Sequence, residues 1–164
     1  MTRIGYLPEL PTLYKYLKVG ELLNLYGHLS DMSASTLKER IPQVISGIGL
    51  ESHQNKPLRE FSKGMLQRAG LAQALLHNPD LLILDEPVSG LDPLGLKEMR
   101  ELLVRLNGQS KTIFFSSHII SEAEKICHRV GIMHQGRLSR VLVRKEWEGQ
   151  EGRLEKLFME TVHA

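Results

Sequence analysis

Two adjacent carboxylates close a continuous apolar run in Leu81-Leu82-Ile83-Leu84-Asp85-Glu86-Pro87. A run that does not alternate reads as a strand covered on both faces, as in parallel sheets. Ligands of open α/β sheets gather beyond the C-terminal ends of such strands. Neighbouring strand residues point to opposite sides, so the two acids would serve different partners. One could hold a hydrated Mg²⁺ and the other could orient or deprotonate a water. Solvated loop acids capping the helix after Pro87 are the alternative. His118 follows a second apolar run, Ile113-Phe114-Phe115-Ser116-Ser117. From the end of a neighbouring strand it could reach the same cleft, where Ser116-Ser117-His118 could contact a terminal phosphate, or it is simply an exposed loop histidine. A third candidate is Phe61-Ser62-Lys63-Gly64-Met65-Leu66-Gln67-Arg68, a loop feeding a helix. Helix N-terminal N–H groups and the positive dipole end suit phosphate oxygens. An ordinary Ser62 N-cap fits the same residues.

The elements that must carry these groups follow from periodicity. Ile4 to Leu7 is a short strand closed by Pro8. Leu17, Leu22, Leu25 and Leu29 recur at helical spacing between Tyr14 and Leu29. Ser33 is the expected N-cap of a second helix, with Leu37, Ile41, Val44 or Ile45, and Ile48 as its stripe and Pro42 inside it. A third helix carries Met65, Ala69, Ala72 and Leu76 and stops at Asn78-Pro79-Asp80. Leu94 to Leu106 is a fourth, and Thr112 to Phe115 reads as the next buried strand. Ser121 with Glu124 reads as a capping box opening a helix to about His128. Val130 to Met133 and Leu138 to Val143 form a strand pair about a Gln135-Gly136 turn. Leu154, Leu157 and Phe158 predict a last short amphipathic helix. Strand, helix, strand, helix, strand with apolar strands is an α/β fold.

Composition narrows the class. The 164 residues are 41% hydrophobic and 24% charged, which is globular rather than disordered. Twenty-one basic against 19 acidic residues leave +2, far from the clustered cation excess of a nucleic-acid binder. A lone Cys127 excludes an internal disulfide and fits a reducing compartment. No apolar run approaches the ~20 residues of a membrane span, and the first residues have no signal-peptide core. A soluble cytoplasmic domain is the expectation. Cys127-His128 lacks the further ligands of a zinc site. Trp147 beside Arg144-Lys145 could brush a membrane surface, but a solvated tail is the expectation.

The order and spacing of these motifs resemble the nucleotide-binding domain of an ABC transporter, over about residues 3 to 140. Leu81 to Glu86 is similar to the Walker B strand, Ser89-Gly90-Leu91-Asp92 to the D-loop, and His118 to the switch histidine. Phe61 to Met65 is similar to the signature motif, and Ile4 to Glu9 to the strand leading into the Q-loop. The Ser-Lys-Gly-Met signature and Gly-Tyr-Leu-Pro-Glu most resemble bacterial multidrug, antibiotic or sodium exporters. Two positions depart from the general pattern, Glu9 for glutamine and Lys63 for glycine, both as in that subgroup.

The resemblance implies a P-loop NTPase (RecA-like) parallel sheet with an inserted α-helical subdomain at about 17–60. Residues 1–16 would be the Q-loop strand and loop, 61–144 the catalytic core, and 145–164 a C-terminal tail. It implies ATP and Mg²⁺ as ligands, a head-to-tail partner ATPase domain, and a membrane permease subunit, with no nucleic acid. Asp85 would hold Mg²⁺ through water, with Glu9 nearby, and Glu86 would polarise the attacking water. His118 would contact the γ-phosphate and Asp92 would couple the two sites. Ser62, Lys63, Gly64 and Met65 would meet the partner's nucleotide. Peripheral attachment to the inner membrane face follows from the same resemblance.

A P-loop needs Gly-x-x-x-x-Gly-Lys-Ser/Thr, and none of the 14 glycines here precedes a lysine. The P-loop strand is therefore expected to be missing, with roughly the first third of the domain. In the resembled fold that strand lies between those of Thr112 to Phe115 and Val130 to Met133. Unpaired backbone groups, uncovered apolar side chains and poor stability are expected without it, and negligible ATPase activity alone. A non-catalytic module pairing with a full-length homologue or a membrane subunit is the competing expectation.

Overall fold

The computed structural model describes residues 3–163 and divides after Ser116 into two compact units, each with its own sheet. In the first unit β1 (Ile4–Leu7), β2 (Leu81–Leu84) and β3 (Thr112–Phe115) run parallel in that order. The register sets Tyr6 beside Ile83 and Ile83 beside Phe114. Parallel neighbours need crossovers. The first is made by α1 (Val19–Leu29), α2 (Ala34–Gly47) and α3 (Lys63–Leu75), the second by α4 (Pro93–Gly108).

One sheet face is core. Leu7, Leu82 and Leu84 are essentially inaccessible there, and α3 lies against β1. The fit is close enough that glycine is required at position 5, where a Cβ would run into the Ala74 carbonyl. The opposite face corrects the expectation of strands buried on both sides. Ile4, Tyr6 and Phe114 are 49%, 56% and 68% exposed, and Leu81 and Ile83 are half-buried. No described element of this unit lies over them, so β3 is only half buried.

The helices start where their caps dictate. Ser33 accepts the Thr36 N–H at 3.2 Å and opens α2, as its sequence predicts. Pro42 is exposed within that helix, which continues past it and buries Leu37, Val44 and Ile45. The first helix begins later than its apolar spacing suggests, at Val19. Lys18 bridges to Pro57 in extended geometry and donates its N–H to the Glu21 carboxylate at 2.8 Å, fixing the N-terminus there. Asp92 caps α4 through the Gly95 N–H at 2.8 Å, with Pro93 in the first turn.

In the second unit, α5 (Ile120–Ile126), the antiparallel pair β4 (Arg129–His134) and β5 (Arg137–Val143), and α6 (Arg153–Val162) surround a small core. It comprises Ile132, Leu142, Trp147, Leu154 and Leu157. Gln135 and Gly136 both have positive φ, as a two-residue hairpin turn requires. Two expectations are corrected here. Ser121 is not a cap, because α5 already starts at Ile120. The Glu124 carboxylate instead accepts the Gly152 and Leu154 N–H groups at 3.0 and 2.8 Å, capping α6. Trp147 is not solvated. It is 2% exposed, and its indole N–H donates to the Glu124 carbonyl at 3.1 Å.

Candidate functional site

The geometry at the C-terminal end of the first sheet grows out of the β2–β3 register. Leu84 pairs with Phe115, so the next residues on each strand emerge side by side. The Asp85 N–H donates to the Leu7 carbonyl at 2.8 Å, and the Ser116 N–H to the Leu84 carbonyl at 3.0 Å. Both strands are thereby extended by one residue. The Ser116 hydroxyl then donates to Asp85 Oδ1 at 2.7 Å and accepts the Glu86 N–H at 2.9 Å.

Glu86 departs from strand geometry. Its φ is +46°, in the left-handed region that non-glycine residues rarely occupy. Alternation across the strand therefore ends before it, and the chain turns. The Ser89 N–H closes this turn on the Glu86 carbonyl at 3.0 Å. Asp85 is exposed and Glu86 half-buried, while Pro87 and Val88 are buried beneath them. Gly90 follows with φ +64°, and a Cβ there would meet the Lys63 ammonium. Lys63, at the start of α3, thus lies directly over the turn that leads to Asp92.

Glu9 is joined to the same turn. Its carboxylate accepts the Ser89 hydroxyl at 3.3 Å, and its carbonyl accepts the Gln67 side-chain amide at 3.3 Å. Gln67 is 3% exposed, so the segment after β1 is tied to α3 by a buried hydrogen bond. At the start of α3 the Ser62 hydroxyl accepts the Met65 N–H at 3.3 Å, the ordinary cap. The first-turn N–H groups of a helix have no intrahelical acceptors, and those of Lys63 and Gly64 sit in this turn. Arg68 pairs with Glu98 at 3.2 Å, joining α3 to α4.

The fold thus brings Glu9, Lys63, Asp85 and Glu86 to one loop cluster of the first unit, with Ser62, Gly64 and Met65 at its helix, while Asp92 lies further along the same turn as the cap of α4. His118 belongs to the second unit, exposed in the segment between β3 and α5. Sequence reasoning passed over Gln67, and it read Ser116 only as part of a run that could contact a phosphate, not as the partner of Asp85 and Glu86. A hydroxyl ending an apolar strand and an amide within an otherwise apolar helix were the available signals.

Among the described residues no three His, Cys, Asp or Glu side chains are grouped so as to cage a metal. The donors at this cluster are instead a few carboxylate oxygens. That set fits Mg²⁺, which keeps several waters and uses one or two carboxylates together with substrate phosphates. No described helix is long and apolar enough to cross a membrane.

The sequence model of the ABC transporter family matches residues 1–89, more than half of the chain. An uncharacterized ABC transporter ATP-binding protein of Nostoc sp. is 52% identical over 138 residues, 83% of this chain and 41% of that one. The bacitracin transport ATP-binding protein BcrA of Bacillus licheniformis is 45% identical, covering 84% and 44%. The lantibiotic transport ATP-binding protein SrtF of Streptococcus pyogenes is 37% identical, covering 96% and 66%. A solved structure described as the ATP binding subunit of an ABC transporter superimposes with a TM-score of 0.77 at 31% identity, over 97% of this chain and 68% of that one. The fold and these likenesses define an ABC-type ATP-binding domain. The chain belongs to the ABC transporter family, and it spans about half the length of the curated relatives it matches.

Proposed function

We propose that this chain carries part of the ATP site of a transport ATPase whose cargo is exported; two relatives are named as bacitracin and lantibiotic transport ATP-binding proteins. The observation that carries the reading is the acid pair at the end of β2, clasped by Ser116 and flanked by the Glu9–Ser89 contact. In this reading Asp85 and Glu9 would hold the cation, Asp85 through water, and Glu86 would polarise the attacking water. When bound, Mg²⁺ would supply charge neutralisation for the phosphates. Ser62, Lys63, Gly64 and Met65 present the N-terminus of α3 to the γ-phosphate of a nucleotide held by a second ATPase domain. Asp92 links the two sites, and His118 contacts the γ-phosphate of its own.

A permease subunit is the proposed membrane partner, which would place the chain at the inner membrane face. Support comes from the loop after Glu9, where Leu10, Tyr14 and Tyr16 are 72%, 59% and 82% exposed beside the helices of the 17–60 segment. The catalytic core is proposed to run over 61–144, with 1–16 as the Q-loop strand and loop.

Phosphoryl transfer relies on positioning and neutralisation, and these 164 residues contain no Gly-Lys step to cradle phosphates. ATP hydrolysis by the purified chain is therefore expected to stay at the background of its buffer. Turnover by the chain alone that Glu86→Gln abolishes would overturn this part of the reading. Co-purification with a permease subunit would support the membrane partnership. A second reading, a non-catalytic module that lends its loops to a full-length homologue, is favoured by the open apolar sheet face of Ile4, Tyr6 and Phe114. Recovery in complex with such a homologue, and with no permease, would select it.

A further inference from the structure

We propose that Ser116 is a positioning residue for the acid pair. Its one hydroxyl fixes the carboxylate of Asp85 and the backbone of Glu86 together, so that the cation-holding and water-handling acids keep a set geometry relative to each other. The inference rests on the reading of Asp85 and Glu86 as cation- and water-handling groups.

Three observations converge on it. Glu86 sits at φ +46°, a strained conformation that persists only where surrounding contacts over-determine it. The Glu86 N–H is held by Ser116 Oγ at 2.9 Å, so the serine acts on the strained residue itself. The same oxygen donates to Asp85 Oδ1 at 2.7 Å, within the range of a strong hydroxyl-to-carboxylate bond. A hydroxyl has one donor and two acceptor sites, and here the donor serves one acid and an acceptor serves the next residue. Ser116 is itself anchored by its N–H on the Leu84 carbonyl at 3.0 Å, so the strand backbone dictates where the hydroxyl lies. Alanine keeps that anchor and loses both side-chain bonds. Threonine keeps the oxygen and suits an extended position.

The test compares the full chain with its Ser116→Ala and Ser116→Thr variants by NMR, using Mn²⁺ as the probe. If Ser116 positions the pair, the Glu86 amide exchanges about tenfold faster in Ser116→Ala and returns to the parent rate in Ser116→Thr. The left-handed carbon shifts of Glu86 disappear and return in parallel, while the Asp85 amide, bonded to Leu7, keeps its rate. Paramagnetic broadening by Mn²⁺ at Asp85 and Glu86 weakens in the alanine variant and recovers in the threonine variant. Unchanged Glu86 exchange and shifts in Ser116→Ala would overturn the proposal. So would equal acceleration at Leu84, Asp85 and Glu86, which marks general fraying of the strand. No Mn²⁺ broadening at Asp85 in the parent chain would instead overturn the acid-pair reading, while the exchange comparison still decides the role of Ser116.

Discussion

Glycine-to-alanine changes at three positions should have effects of different sign and size, because the same methyl meets different surroundings. At Gly70 in α3, an added Cβ would lie 2.7 Å from a Leu7 methyl and 3.0 and 3.1 Å from Pro11 carbons. Leu7 is fully buried, so that methyl must move about 0.7 Å to reach ordinary contact within an interior packed like a crystal. Overpacking of this kind costs about 1–3 kcal/mol. Replacing glycine inside a helix returns about 1 kcal/mol. The net expectation for Gly70→Ala is a loss of about 1 kcal/mol, the difference of those two effects. At Gly5 the obstacle is the Ala74 backbone carbonyl, which cannot swing aside as a methyl can, and the loss should be about 3 kcal/mol or more. At Gly47, the last residue of α2, nothing lies within 4 Å, so alanine should stabilise by roughly 0.5 kcal/mol. Urea unfolding of the three variants reads the order directly. A stabilised Gly5→Ala, or a Gly70→Ala indistinguishable from Gly47→Ala, would refute the close seating of α3 on β1. That seating also sets the spacing between Glu9 and Gln67.

Glu124→Ala removes both acceptors that cap α6 and should cost about 2 kcal/mol; Trp147, the only tryptophan, should report it as red-shifted emission at lower denaturant. Cys127 is pushed by burial from 9.0 up to about 11, so the thiolate at pH 8 is roughly a hundredfold scarcer than for an ordinary thiol. Alkylation should be correspondingly slow in the native chain and fast in urea. Because the folded state holds this proton more tightly, stability should be level below about pH 9 and fall between 9 and 11. Phe114→Ser should leave stability within about 0.5 kcal/mol yet reduce dye binding and self-association, since the ring is 68% exposed.

Much of this architecture is legible in the sequence because local chemistry decides it. The apolar run Leu81–Leu84 marks its strand, Ser33 and Ser62 mark their helix starts, and Gln135-Gly136 marks the hairpin. What escaped depends on long-range register. The Ser116 hydroxyl meets Asp85 and Glu86 only because Phe115 pairs with Leu84. Glu9 meets Ser89 only because β1 lies beside β2. Trp147 sits in a polar stretch and is buried because α6 brings Leu154 and Leu157 to the hairpin, with Glu124 fastening that helix. Periodicity does not show the open face of the parallel sheet, since an apolar run looks the same whether or not a neighbour covers it; the expectation of uncovered apolar side chains comes only from the missing P-loop strand.

The most direct test of the central claim is ATP hydrolysis by a hybrid in which a P-loop segment from a full-length relative is joined ahead of Ile4. If the acid pair completes the ATP site, the hybrid turns over and Glu86→Gln lowers its rate at least about a hundredfold. A Glu86→Gln hybrid that hydrolyses ATP within about twofold of its parent would contradict the account.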